Sequence, residues 1–149
     1  MNSTYSFVDT SGSASSPFNG IYIFAGQKGV KQITVAMQME KAVLDVAADG
    51  AVMASFVPGD PGTISVECQQ TSDFYKFCLV WYNLAKIAAT LGDVADFFGG
   101  TMTVRNITDG TSHVASGVAI GKLPDKVYAA QGQHVTVAFV CCDIQSITV

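Results

Sequence analysis

The stretch "AADGAVMASFVPGDPGTISVE", Ala47 to Glu67, decides the fold class of this chain. Asp49-Gly50 is a strong hairpin signal, and predicts a type I′ turn, in which both central residues take positive φ. "AVMASFV" then reads as a strand. "PGDPG", Pro58 to Gly62, ends it, because proline cannot donate to a ladder and glycine accepts strained turn angles. "TISVECQ" is the strand after that. Working upstream, Ile33, Val35, Met37 and Met39 alternate with Thr34, Ala36, Gln38 and Glu40, a period of two that predicts a strand over Lys31 to Glu40. The polar pair Glu40-Lys41 turns the chain into the strand "AVLDVAA".

Further out, "TYSFVD" (Thr4 to Asp9) and "IYIFA" predict two more strands, with the Ser-rich "TSGSASSPFNG" (Thr10 to Gly20) between them as a flexible loop and "GQKG" after them as a turn. Beyond Thr71 the period changes. Phe74, Phe77, Cys78, Trp81, Leu84, Ala85, Ala88 and Leu91 form the i, i+3, i+4, i+7 stripe of one helix, which predicts Phe74, Phe77, Trp81 and Leu84 as its packing core. Ser72 is its expected N-cap, Gly92 its C′ residue, and Asp73 lies against the positive end of its dipole. "TMTVRNI" and "SHVASGVAI" flank "TDGT" as another hairpin, "PDKVYAA" makes a corner, and "HVTVAFVCCDIQSITV" closes the chain as one or two strands. The expectation is a mainly β domain over residues 1–149, a β-sandwich or barrel with one flanking α-helix.

Composition narrows the function. Of 149 residues, 49% are hydrophobic and only 13% charged, against about 25% charged in ordinary globular domains. No run approaches the roughly 18 apolar residues of a membrane span, so the weakly charged surface is expected to be covered by copies of the chain itself. The N-terminus lacks the basic region and apolar core of a signal peptide, which predicts synthesis in a cytoplasm. Cys68, Cys78, Cys141 and Cys142 lack paired CxxC spacing and read as free thiols. Cys141 and Cys142 point to opposite faces of one strand.

Catalytic and ligand patterns are sparse. His113 and His134 lack partners at zinc-ligand spacing, Asp49, Asp60, Asp109 and Asp125 stand at turns, "GKL" lacks the rest of a phosphate loop, and no serine lies in a G-x-S-x-G elbow. A net charge of -4 with a single arginine, Arg105, argues against gripping nucleic acid, which needs clustered cations. No cofactor and no metal are expected.

The order of features resembles the tail tube proteins of contractile-tailed bacteriophages over essentially the whole chain. The matching pieces are Ala48-Asp49-Gly50 with Met53 after it, Gly62-Thr63, Thr71-Ser72 at the helix start, and Pro124 followed by Tyr128-Ala129. Asp73 stands where proline commonly follows Thr-Ser in that family, and His134-Val135 where a tryptophan often opens the last strand. The resemblance implies a structural virion protein: hexameric rings with a continuous inner β-barrel, stacked into a hollow tube that conducts the genome inside a contractile sheath. The implied partners are further copies, the tail sheath protein, baseplate and tail terminator proteins, and double-stranded DNA in transit without specific binding, all within a tail assembled in the host cytoplasm. Ser13, Ala14, Ser15 and Ser16 of the Ser-rich loop, and Asp49 and Gly50, are the segments expected to reach a neighbouring subunit. Glu40, Lys41 and Asp45 are the candidates to face an acidic or near-neutral lumen. Two other readings stand beside it: the inner tube of a phage-derived injection particle that carries no genome, and a monomeric β-sandwich binding module, for carbohydrate, which would want exposed aromatics on a flat sheet face. A small enzyme is a third reading, without a constellation to carry it.

Overall fold

A computed structural model describes residues 4–25 and 29–148. The strands, in chain order, are β1 (Thr10–Ser16), β2 (Gly20–Ala25), β3 (Val30–Met37), β4 (Ala42–Val46), β5 (Val52–Phe56), β6 (Gly62–Gln69), β7 (Gly100–Asn106), β8 (Thr111–Lys122) and β9 (His134–Thr148); the helices α1 (Asp73–Thr90) and the short α2 (Val94–Phe97) follow β6. Seven strands form one antiparallel sheet in the order β2-β1-β7-β8-β9-β6-β3, curled into a half-barrel, while among the described residues β4 and β5 pair only with each other. The chain is mainly β with one substantial helix.

Period-two alternation does the work in the sheet. Along β6, Ile64, Val66 and Cys68 are fully buried and the residues between them face outward; β9 answers with Val135, Val137, Phe139 and Cys141. α1 lies across that inner face. Its cap is Ser72, whose Oγ accepts from the Tyr75 N–H at 3.3 Å, and it closes in a Schellman motif in which Gly92 N–H donates to Ala89 O and Asp93 N–H to Ala88 O. Phe74 and Trp81 are fully buried, with Trp81 at 5.6 Å and Phe74 at 6.1 Å from the Phe139 ring and Phe24 at 5.0 Å from Phe74. These tilted pairs add to the apolar burial that fixes helix to sheet. Phe77 is half-buried at the edge of the cluster. Leu84, expected in the packing core, is 37% exposed and Leu91 is 82% exposed. The stripe turning inward is Phe74, Cys78, Trp81 and Ala85, and the remaining apolar positions overshoot the width that the sheet covers.

The N-terminal third departs from the sequence expectation. "TYSFVD" is not a strand: Phe7–Asp9 is a 3-10 turn, and the strand begins at Thr10. The Ser-rich segment is no loop but β1, paired along its length with β2 on one side and β7 on the other. Its small residues have a packing reason. A Cβ on Gly12 would stand 2.7 Å from both the Phe24 ring and the Thr103 carbonyl, so a bulky strand former does not fit. Ala14 and Ser16 are buried inside the subunit, and Ser13 and Ser15 point to the sheet's other face. β3 ends at Met37 rather than Glu40, leaving Met39 half-exposed in the turn. The turn expected over "GQKG" lies, but for Gly29, outside the described residues.

Candidate assembly surfaces

The β4–β5 hairpin is an arm. Every residue of both strands is solvent-exposed, although Val43, Leu44, Val46, Val52, Met53 and Phe56 are apolar. The register (Ala42↔Phe56, Leu44↔Ala54, Val46↔Val52) gathers Ala42, Leu44, Val46, Val52, Ala54 and Phe56 on one face, with no polar side chain among them; Val43, Asp45, Met53 and Ser55 form the other. At its tip Gly50 N–H donates to Ala47 O at 2.9 Å, Ala47 N–H to Ala51 O at 2.8 Å, and Asp49 Oδ1 accepts from Ala51 N–H at 3.0 Å. Gly50 has φ 88° and, among the described residues, no non-glycine residue has positive φ, so the turn is a type I turn closed by a glycine bulge rather than the expected type I′. A side chain at Gly50 would be strained there.

The root of the arm is latched to the "PGDPG" loop. Lys41 Nζ sits 2.7 Å from Asp60 Oδ1, donates to Gly59 O at 2.7 Å, and lies 5.7 Å from the Phe56 ring centroid. Gln145 Nε2 donates to the other Asp60 oxygen at 3.3 Å, and Ile144 N–H to Asp60 O at 2.9 Å, tying the loop to β9. The Lys41 hydrogen bond holds the Asp60 carboxyl below its ordinary 3.8. Glu40 and Lys41 thus stand at the arm's root and Asp45 midway along it. Asp49 and Gly50 form its tip, and Ser13 to Ser16 lie in the sheet, well apart from it in the chain's topology.

Two further surfaces are unpaired within the subunit. The sheet ends at β2 on one side and β3 on the other, and β2 carries Ile21 and Ile23 at 69% and 67% exposure. Such edges offer rows of unmet N–H and C=O groups to another chain. The sheet's solvent face carries rows of short side chains, with Ile21 and Ile23 at the β2 edge, Arg105 opposite Ser11 and Ser112, and Lys122 opposite Ala138. Ser13, Thr103 and Val114 line up across it, then Ser15, Thr101 and Ser116, and on the other wing Ala138, Ser65 and Thr34. Lys31 is paired there with Glu67 at 3.6 Å.

Reactive chemistry is thin on the same molecule. Burial pushes the Cys78 thiol well up and the Cys141 thiol up to about 11, and raises Cys68; Cys142 faces outward from the same strand as Cys141. His113 Nδ1 and Ser146 Oγ share a 2.7 Å hydrogen bond, but they are cross-strand neighbours at an exposed sheet end, and Asp109 nearby already accepts from the Thr111 amide and hydroxyl. Among the described residues no group of three His, Cys, Asp or Glu is disposed to hold a metal. No helix among them is long and apolar enough to cross a membrane.

Comparisons with known proteins point the same way as the surfaces. By sequence, no curated protein matches. Among solved structures, a chain of the "anti-feeding prophage (AFP) baseplate, 6-fold symmetrised" superposes with a TM-score of 0.58 at 8% identity, over 100% of this chain and 99% of that one. A chain of the "anti-feeding prophage cap (AFP tube terminating cap)" superposes at 0.56 and 5% identity, over 100% and 95%. These likenesses establish the fold. The lineage comes from the sequence itself, since the model of the family described as "Bacteriophage PhiTE tail tube protein" matches residues 2–148. A curled sheet with open edges and an uncovered apolar arm is therefore found on a chain that belongs to the bacteriophage PhiTE tail tube protein family.

Proposed function

We propose that this tail structural protein is the tube subunit of a contractile tail, and that six copies close into a ring and rings stack into the conduit for genome ejection. The observation that carries this reading is the arm. Two strands with six large apolar side chains, none covered by the subunit itself, are an aggregation hazard on a monomer and a contact on a polymer. The arm tip, Asp49 and Gly50, is the part that reaches the neighbouring copy. Ring closure is assigned to the free β2 edge of one subunit pairing with the free β3 edge of the next, which continues the sheet and removes both edges. The sheet's solvent face then becomes the lumen wall. Its cations are scattered rather than clustered, with Lys31 neutralised by Glu67 and with Arg105 and Lys122 at opposite ends of β8 in register, and this suits a surface that DNA slides past, because a cationic cluster would hold phosphate by counterion release. Of the earlier lumen candidates, Lys41 is neutralised by Asp60, and Glu40 and Asp45 line the channel only where the arm does. Tail sheath, baseplate and terminator proteins are the outer and end partners of such a tube.

Negative-stain microscopy of the purified protein tests the proposal. Rings or hollow tubes are expected at high concentration. A monodisperse monomer there would leave the exposed arm without an occupant and defeat the reading in favour of a monomeric binding module.

A further inference from the structure

α1 carries more apolar surface than its own sheet uses. Phe74, Cys78, Trp81 and Ala85 turn inward, while Val80, Leu84, Ile87 and Leu91 recur at i, i+4, i+7 and i+11 on the solvent side, exposed by 47, 37, 55 and 82%. A helix lying on a sheet needs one apolar stripe; the second is a surface built for something outside the subunit. We propose that this outer stripe is the seat of the apolar face of the β4–β5 arm from a second copy of the chain, an assignment that rests on the tube-subunit reading above.

Length, chemistry and charge select that occupant. From Val80 to Leu91 the stripe runs about 16 Å at the helical rise, and a five-residue strand such as β4 spans about 17 Å. The arm's face of Leu44, Val46, Val52, Ala54 and Phe56 has no polar side chain to leave unpaired against an aliphatic ridge. At its C-terminal end the stripe opens into a hollow of about 220 Å³ lined by Lys86, Ile87, Thr90 and Leu91, in which Lys86 is the one charged group. Asp49, at the arm's tip, is the acidic complement of that lysine, while Asp45 stands on the arm's other face. The two surfaces are unlike, so their contact is head-to-tail and propagates along an array rather than closing a dimer.

The test places a photo-crosslinking residue at Leu44 of the full-length protein, irradiates it at concentrations where rings or tubes form, and maps the adducts by peptide mass spectrometry. Adducts within residues 80–91 of another copy are expected. Ile87→Asp, at an exposed position, should leave the thermal melt unchanged while raising the critical concentration for polymerisation about tenfold or more, because an unpaired carboxylate is then buried against the arm. Lys86→Glu should weaken growth in a way that Asp49→Lys partly restores. Adducts elsewhere on the neighbour, with normal growth of Ile87→Asp, would overturn the seat while leaving self-assembly intact; that is also the outcome expected of a stripe reserved for the sheath. A wild-type protein that forms no higher species and no intermolecular adduct at any concentration would overturn the tube-subunit reading, and the seat with it.

Discussion

Trp81 is the chain's single tryptophan, it is fully buried, and its ring packs 5.6 Å from Phe139 and 6.0 Å from Phe77, so one substitution probes the helix-to-sheet contact on which the fold depends. Trp81→Ala removes the largest side chain of the core and leaves a cavity between helix and sheet. Truncations of this kind cost about 3–5 kcal/mol. At about 2–4 °C per kcal/mol for a chain of this size, the melting temperature should fall by about 6–20 °C. The assay is thermal unfolding of the dispersed subunit by circular dichroism, with Leu84→Ala as the matched control. Leu84 already has 37% of its surface in water, so its loss should cost about 1 kcal/mol at most. The same residue supplies an independent optical reading, since native indole emission should be blue-shifted and poorly quenched by iodide. A Trp81→Ala protein that melts within 2 °C or so of the wild type, together with a native indole as quenchable as free tryptophan, would refute the packing of α1 on the sheet.

Val57 N–H donates to Lys41 O at 2.8 Å, so the arm leaves and re-enters the subunit at adjacent points. Replacing Ala42–Phe56 with Gly-Gly should therefore shift the melting temperature by less than about 4 °C while abolishing tubes, as judged by sedimentation and microscopy. A large loss of stability would mean that the arm belongs to the core. The Asp60 latch has a pH signature. Its folded pKa is depressed below 3.8 by the Lys41 hydrogen bond, so its contribution is fully present above the unfolded value and disappears as pH falls through the folded one. Hydrogen exchange in residues 41–57 should be unchanged between pH 7 and 5, after correction for intrinsic rates, and should rise below about pH 4. Asp60→Asn should show the faster exchange at every pH. Assembled tubes should bind duplex DNA negligibly at physiological salt, whereas Glu40→Lys with Asp45→Lys should create affinity that drops steeply with added salt where those positions line the channel; unchanged behaviour places them outside it.

The parts of the fold that the sequence disclosed are those with strong periodicity. The buried alternation of β6 and β9, the Ser72 cap and the Gly92 close of α1 follow from side-chain patterns that local physics enforces. β1 was illegible because its strand character is borrowed. Gly, Ala and Ser have weak strand preference, and they extend here because β2 and β7 pair on both sides and Phe24 leaves no room for more. Leu84 is misplaced for a different reason: an apolar stripe broader than the sheet that covers it looks, in one dimension, like a single wide core face. The arm shows the same limit. "AVLDV" and "VMASF" have the composition of buried strands, and nothing along the chain tells a strand hidden by its own subunit from one left bare. The position of the Asp49-Gly50 turn was legible but its type was not. The choice between a two-residue and a three-residue loop depends on where pairing stops, here at Ala47 and Ala51.

An arm that departs from the Lys41–Val57 junction points one way only, and the described residues hold no second copy of it to balance the first. A filament made by placing such arms on the next layer has direction, like an arrow. One extremity displays unsatisfied prongs and the opposite extremity displays vacant receptors. In a tube of the proposed kind, growth from a template that offers receptors admits only one orientation of each incoming layer, so that tube, initiated at one end, cannot be built backwards. The proteins that stop and start the filament must then be of two unlike kinds, one that accepts prongs and one that supplies them.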